Sequence, residues 1–123
     1  MILSEHDADG TIHSTIVWYE FDENNNTFRV SITSQRVKYK NINKDPKVSF
    51  VIPNTENMYQ YVEGDGKVTD QTRECGHDFI DSEAKRYLGK DTYPYDPERK
   101  EDRVTITITP TKFFSVGFES SRG

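Results

Sequence analysis

The sequence predicts a small, mainly β domain with short helices, its antiparallel strands closing into a barrel. Three observations predict it. Aromatic residues make up 12% of the chain although hydrophobic residues reach only 33%, so the core is thin but aromatic-rich. Several segments alternate apolar and polar residues, the two-residue period of half-buried strands. With 123 residues the chain has the length of one domain with a single core.

Taken in order, Met1 to Glu5 reads as the end of a strand, and Asp7-Ala8-Asp9-Gly10 as a hairpin turn, since Asp-Gly accepts the positive φ such turns require. From Thr11 to Phe21 the pattern alternates. Ile12, Ser14, Ile16 and Trp18 fall on one face, His13, Thr15, Val17 and Tyr19 on the other, and Trp18 is expected in the core. Thr27 to Thr33 forms another strand. Ser34 is expected to N-cap a short helix that Asp45-Pro46 ends. Lys47 to Ile52 and Met58 to Val68 read as strands, and Gly64 and Gly66 mark a bulge or a close approach in the second. Asp70 to Leu88 has the spacing of an amphipathic helix, closed by Gly89. Cys75 lies on its apolar face and is expected to be a buried, inert thiol. Thr92 to Asp102, with its prolines and charges, reads as a surface loop. Arg103 to Thr109 turns Val104, Ile106 and Ile108 inward, and Lys112 to Phe118 adds a final edge strand.

Composition excludes several functions. The net charge of −5 argues against a general affinity for nucleic acid or anionic membrane. No apolar run approaches the ~18 residues of a membrane helix, and no signal sequence follows Met1. A single cysteine excludes an internal disulfide framework, and the cytosol is the simplest location. His6, His13 and His77 lack ligand spacing, so no metal site is expected. The Asp7–Gly10 turn lacks the later ligands of a calcium loop. No nucleophile elbow, P-loop or Gly-x-Gly-x-x-Gly motif is present.

The informative segment is TSQRVKYKNI, residues 33–42. Five cations, Arg36, Lys38, Lys40, Lys44 and Lys47, stand within residues 36–47, opposed only by Asp45. Such a run fits a solvated helix face as well as an anion site. Its place makes the anion site credible beside the solvated face: a strand ends at Thr33, a helix opens after it, and helix-opening N–H groups attract anions. Thr33 and Ser34 would donate hydroxyls, and Arg36 and Lys38 charge-assisted bonds, to a phosphate.

Four ordered motifs then become recognisable. Asp9-Gly10-Thr11-Ile12-His13 with Val17-Trp18-Tyr19-Glu20-Phe21-Asp22 resembles the pattern DG-x-P-x-x-x-P-V-W-F-x-x-D. TSQRVKYKNINKDPKV, residues 33–48, resembles T-x-x-R-x-K-x-R-N-L-x-x-D-P-R-V. Tyr59-Gln60-Tyr61-Val62-Glu63 resembles Y-R-Y-V-E, and Arg86-Tyr87-Leu88-Gly89 resembles R-Y-L-G. The family with these patterns comprises flavin and deazaflavin oxidoreductases of the FMN-binding split β-barrel fold, related to pyridoxamine 5′-phosphate oxidase. The similarity leans toward the branch that uses coenzyme F420. Ile12 and Ile16 stand where the family has prolines, Lys40 where it has arginine, and Gly64-Asp65 interrupts its V-R-G.

The resemblance implies a single split-barrel domain over residues 1–123 that lacks the family's usual N-terminal helix. It implies a homodimer with cofactor sites at the subunit interface. Phosphate binding falls on Thr33, Ser34, Arg36 and Lys38. The ring lies against the strand of His13, Thr15 and Val17, and Tyr61 approaches the ring or substrate. His13 and Thr15 also fit the plain surface of a strand, and Tyr61 fits core or dimer packing. The implied activity is hydride transfer from reduced F420, or alternatively FMN, to an unsaturated organic substrate, and no catalytic side chain is assigned. A non-catalytic cofactor- or haem-binding relative is the alternative.

Overall fold

A computed structural model of the chain describes residues 1–118. Its elements are β1 (Ile2–His6), β2 (Ile12–Ile16), β3 (Glu20–Asp22), β4 (Thr27–Thr33), α1 (Val37–Lys44), β5 (Lys47–Pro53), β6 (Tyr61–Thr72), α2 (Gly76–Leu88) and β7 (Arg103–Val116). The strands pair antiparallel in one seven-stranded sheet, ordered β2-β1-β5-β6-β7-β4-β3. The mainly β class with short helices is therefore observed. The strand ladders run from β2 at one end of the sheet to β3 at the other and do not form a closed ring. Leu3, Phe28, Val30, Ile32, Val48, Phe50, Val104, Ile106 and Ile108 fill the core, and Ile42 joins them from α1. No helix among the described residues is long and apolar enough to cross a membrane.

Six local expectations are corrected. The strand predicted from Thr11 to Phe21 breaks between Ile16 and Glu20. There the Tyr87 hydroxyl accepts from Tyr19 N–H at 3.3 Å and donates to Tyr19 C=O at 2.9 Å, so a side chain takes the place of a neighbouring strand. Trp18 consequently leaves the core and stacks on Tyr87, ring centroids 5.3 Å apart. Ser34 does not cap α1. Its backbone N–H and its hydroxyl both bond Asp102, and the helix opens at an extended Arg36 without a side-chain cap.

The helix predicted from Asp70 begins only at Gly76, because Asp70 to Thr72 continue β6 and pair with Thr107 to Thr105. Cys75 precedes it in the left-handed region (φ 55°) and is exposed rather than buried. At Gly76 a Cβ would meet the Arg103 carbonyl at 2.9 Å, so glycine is what lets α2 start against β7. Finally, the two predicted C-terminal strands are one. β7 runs unbroken between β6 and β4, and is central rather than an edge. Its pairing with β6 shifts register at Asp65/Gly66, where the two glycines were expected to mark a bulge or close approach. The last two residues of the predicted edge strand, Gly117 and Phe118, lie beyond β7.

Candidate functional site

β2, the end of β4, the start of α1, α2 and the segment entering β7 enclose an open cleft of about 820 Å³. At its cationic end, β4 delivers Thr33 and the turn presents Gln35, Arg36 and Lys38. The first turn of α1 carries no acidic residue and no side-chain cap; Arg36 N–H donates to the Thr33 carbonyl and Tyr39 N–H to the Arg36 carbonyl, each at 3.2 Å, which leaves the Val37 and Lys38 N–H groups at the opening. No salt bridge among the described residues engages Arg36 or Lys38. Burial holds the Lys38 ammonium below the ordinary lysine range. Glu5 pulls it back up, and Arg36 presses it further down. Two cations without an ion-pair partner thus stand beside a helix opening, the setting that favours an anion, and a bound anion would raise the Lys38 pKa.

The β2 wall is held from behind. His13 Nδ1 is hydrogen-bonded to Glu5 Oε2 at 2.6 Å, across the β1–β2 ladder. Asn41 Nδ2 of α1 donates to the same Glu5 oxygen at 3.0 Å. One buried carboxylate thus fixes both β2 and the helix that carries Lys38. On the same strand as His13, Thr15 Oγ1 is buried with no hydrogen-bond partner.

His13, Thr15, Val17, Thr33, Arg36 and Lys38 therefore come together around one cleft, as the motif positions suggested. Ser34 does not line it, because Asp102 takes its hydroxyl. Nor does Tyr61, which lies in β6 opposite Pro53 of β5 and Val116 of β7. The structure also adds residues that the sequence did not single out. Trp18 and Tyr93 meet edge to face with centroids 5.9 Å apart, and Tyr95 packs on Tyr93. Arg103, only 8% exposed, donates to Glu101 at 2.5 Å and lies 4.7 Å from the Tyr93 ring centroid, while its Nε has no partner.

Glu83 of α2 also lines the cleft, is 2% exposed, and has no partner at either carboxyl oxygen. Burial pushes its pKa up to about 7. The signal available in the sequence was an acid at helical spacing from apolar residues, three after Ile80, four after Phe79 and four before Tyr87.

The cleft thus combines two cations and a helix opening with aromatic walls and unpartnered buried polar atoms. The family description "Pyridoxamine 5′-phosphate oxidase" matches residues 1–117, and the chain belongs to that family of split-barrel flavin and deazaflavin oxidoreductases. A solved structure of an F420 reductase is 33% identical, with a TM-score of 0.80, over 91% of this chain and 86% of that one. A conserved hypothetical protein from Mycobacterium tuberculosis is 22% identical, with a TM-score of 0.71, over 94% of this chain and 74% of that one. A pyridoxamine 5′-phosphate oxidase-related, FMN-binding protein from Nostoc punctiforme is 11% identical, with a TM-score of 0.66, over 93% and 71%. The last two similarities establish the fold alone. No curated protein matches the chain.

Proposed function

We propose that the cleft binds coenzyme F420 in its reduced form and that the protein passes a hydride from it to an unsaturated organic substrate. The observation that carries this is the pair Arg36 and Lys38, uncompensated at the α1 opening of a cleft whose other walls are aromatic and apolar. The residues fit the group. Thr33, Arg36 and Lys38 would hold its phosphate, and His13, Thr15 and Val17 would face its ring, with Thr15 Oγ1 free to bond it. When bound, the cofactor supplies the hydride chemistry. The chain's own work is anchoring and orientation. Glu5 holds His13 and α1 in place, and Trp18, Ile80 and Tyr93 keep water from the reacting face.

FMN is the alternative cofactor, since it shares the ring outline and the phosphate. The exposed Lys40 and Lys44 beyond the turn favour F420, whose anionic tail would meet them. The protein is further proposed to be a cytoplasmic homodimer, the second copy covering apolar residues such as Ile16 beside the cleft. The test is the absorption and fluorescence spectrum of protein purified from a host that makes deazaflavin. Copurified deazaflavin is expected, and a colourless protein that takes up neither deazaflavin nor FMN would refute the proposal.

A further inference from the structure

Glu83 has no structural employment. It is buried on α2, lines the cleft beside Ile80, and leaves both oxygens unpartnered. Four charged groups surround it: Arg29 of β4, Arg103 of β7, Glu20 of β3 and Arg86 of its own helix. The two sheet arginines are already neutralised elsewhere. Arg29 donates to Glu20 at 2.7 Å and Arg103 to Glu101 at 2.5 Å. Arg86, Arg103 and Arg29 each favour its charged form without bonding either oxygen, but burial outweighs them and keeps Glu83 an acid up to about neutrality. An unsatisfied buried carboxyl is costly, and a ligand that supplies its partner removes that cost. Trp18 and Tyr93, which line the same cleft, suit a flat molecule.

We infer that Glu83 is the general acid of the cleft, donating its carboxyl proton to the carbonyl oxygen of a flat α,β-unsaturated substrate seated against Trp18 and Tyr93. This rests on the oxidoreductase reading above. The transferred hydride forms a C–H bond at the electron-poor β-carbon with its two electrons. The C=C π pair shifts toward the carbonyl, whose oxygen takes the proton as the Glu83 O–H bond breaks. The enol product becomes the ketone in water. Glu83, left as carboxylate, regains a proton from solvent through the open cleft, and the cofactor is left oxidised by two electrons.

The test has two arms. In the cofactor-free protein, infrared difference spectra should show a protonated buried carboxyl that disappears with a midpoint near pH 7 and is missing in Glu83→Gln. In single turnovers with reduced F420 and 2-cyclohexen-1-one or 2-cyclopenten-1-one, Glu83→Gln should be slower by ~100-fold. Above pH 7 the wild-type rate should fall about tenfold per unit while the Glu83→Gln rate stays flat, and Glu83→Asp should recover part of it. Cofactor affinity should be the same in all three proteins. A missing infrared signal, or a Glu83→Gln rate within about twofold of wild type, overturns the general acid. Wild-type protein that binds the cofactor but reduces neither probe overturns the substrate class. Failure of every variant to bind cofactor overturns the oxidoreductase reading instead, and the acid with it.

Discussion

Ser34 Oγ donates a 2.5 Å hydrogen bond to Asp102 Oδ2, joining two residues 68 positions apart. The Ser34 N–H donates to the Asp102 carbonyl at 3.0 Å, and Arg73 Nε reaches the same carboxylate at 3.0 Å. The Ser34 bond, followed by Arg73, holds the Asp102 carboxyl below the ordinary range. This clasp ties the turn after β4 to the segment entering β7. It sets where Arg36 and Lys38 stand without itself entering the cleft.

Ser34→Ala should therefore act on the fold more than on the ligand. A lowering of Tm by about 4 °C is expected from loss of one such contact in a domain of this size. Affinity for FMN or inorganic phosphate should stay within about threefold, since an indirect change of that size is under 1 kcal/mol. Calorimetry and a ligand titration on the same protein check it.

Arg36→Ala and Lys38→Ala should each weaken cofactor binding by about 1.5–3 kcal/mol, the scale of hydrogen bonds to charged groups. Lys44→Ala, on the last turn of α1, should change the binding of FMN, which lacks the anionic tail of F420, little. Isothermal titration of the three variants separates a built anion site from a diffuse basic patch, which would show equal small losses.

Stability should respond to Glu83 in a defined direction. Its folded pKa is raised to about 7 from an ordinary value of 4.5. Between those values the folded state holds a proton that the unfolded state has released, so stability falls as pH rises and levels off above 7. Relative to Glu83→Gln, the wild type should lose on the order of 2–3 kcal/mol between pH 4.5 and 8. Urea melts across that range measure the difference, and parallel curves would contradict it.

Apolar exposure bears on assembly. Ile16 is 84% exposed, Phe113 50% and Phe114 56%. A homodimer burying more than ~1,000 Å² is expected. Light scattering at low micromolar concentration checks it, and a stable species of 14.3 kDa would count against it.

The sequence disclosed what local periodicity determines. Val104, Ile106 and Ile108 alternate cleanly, and all three are buried on β7. It did not disclose what distant contacts determine. Ser34 has the chemistry of a helix cap, but Asp102 claims it from the far side of the loop. Cys75 counted as apolar in a helical period, yet the demands of pairing with β7 keep residues 70–72 in β6 and delay α2 to Gly76. In the cleft, His13, Thr15, Arg36 and Lys38 were legible because they sit within motifs. Glu83 was one of 21 acidic residues, and only burial by residues of several other elements sets it apart.

The measurement closest to the central claim is a pair of fluorescence titrations with F420 and FMN at low and high salt. Tighter binding of F420 is expected, because the exposed Lys40 and Lys44 follow Arg36 and Lys38 along α1 and would meet its tail. The preference should shrink at high salt, as the screening length falls from about 8–10 Å near physiological ionic strength to about 3 Å at 1 M. Tighter FMN binding at both salt concentrations would contradict it and place the protein with the flavin users.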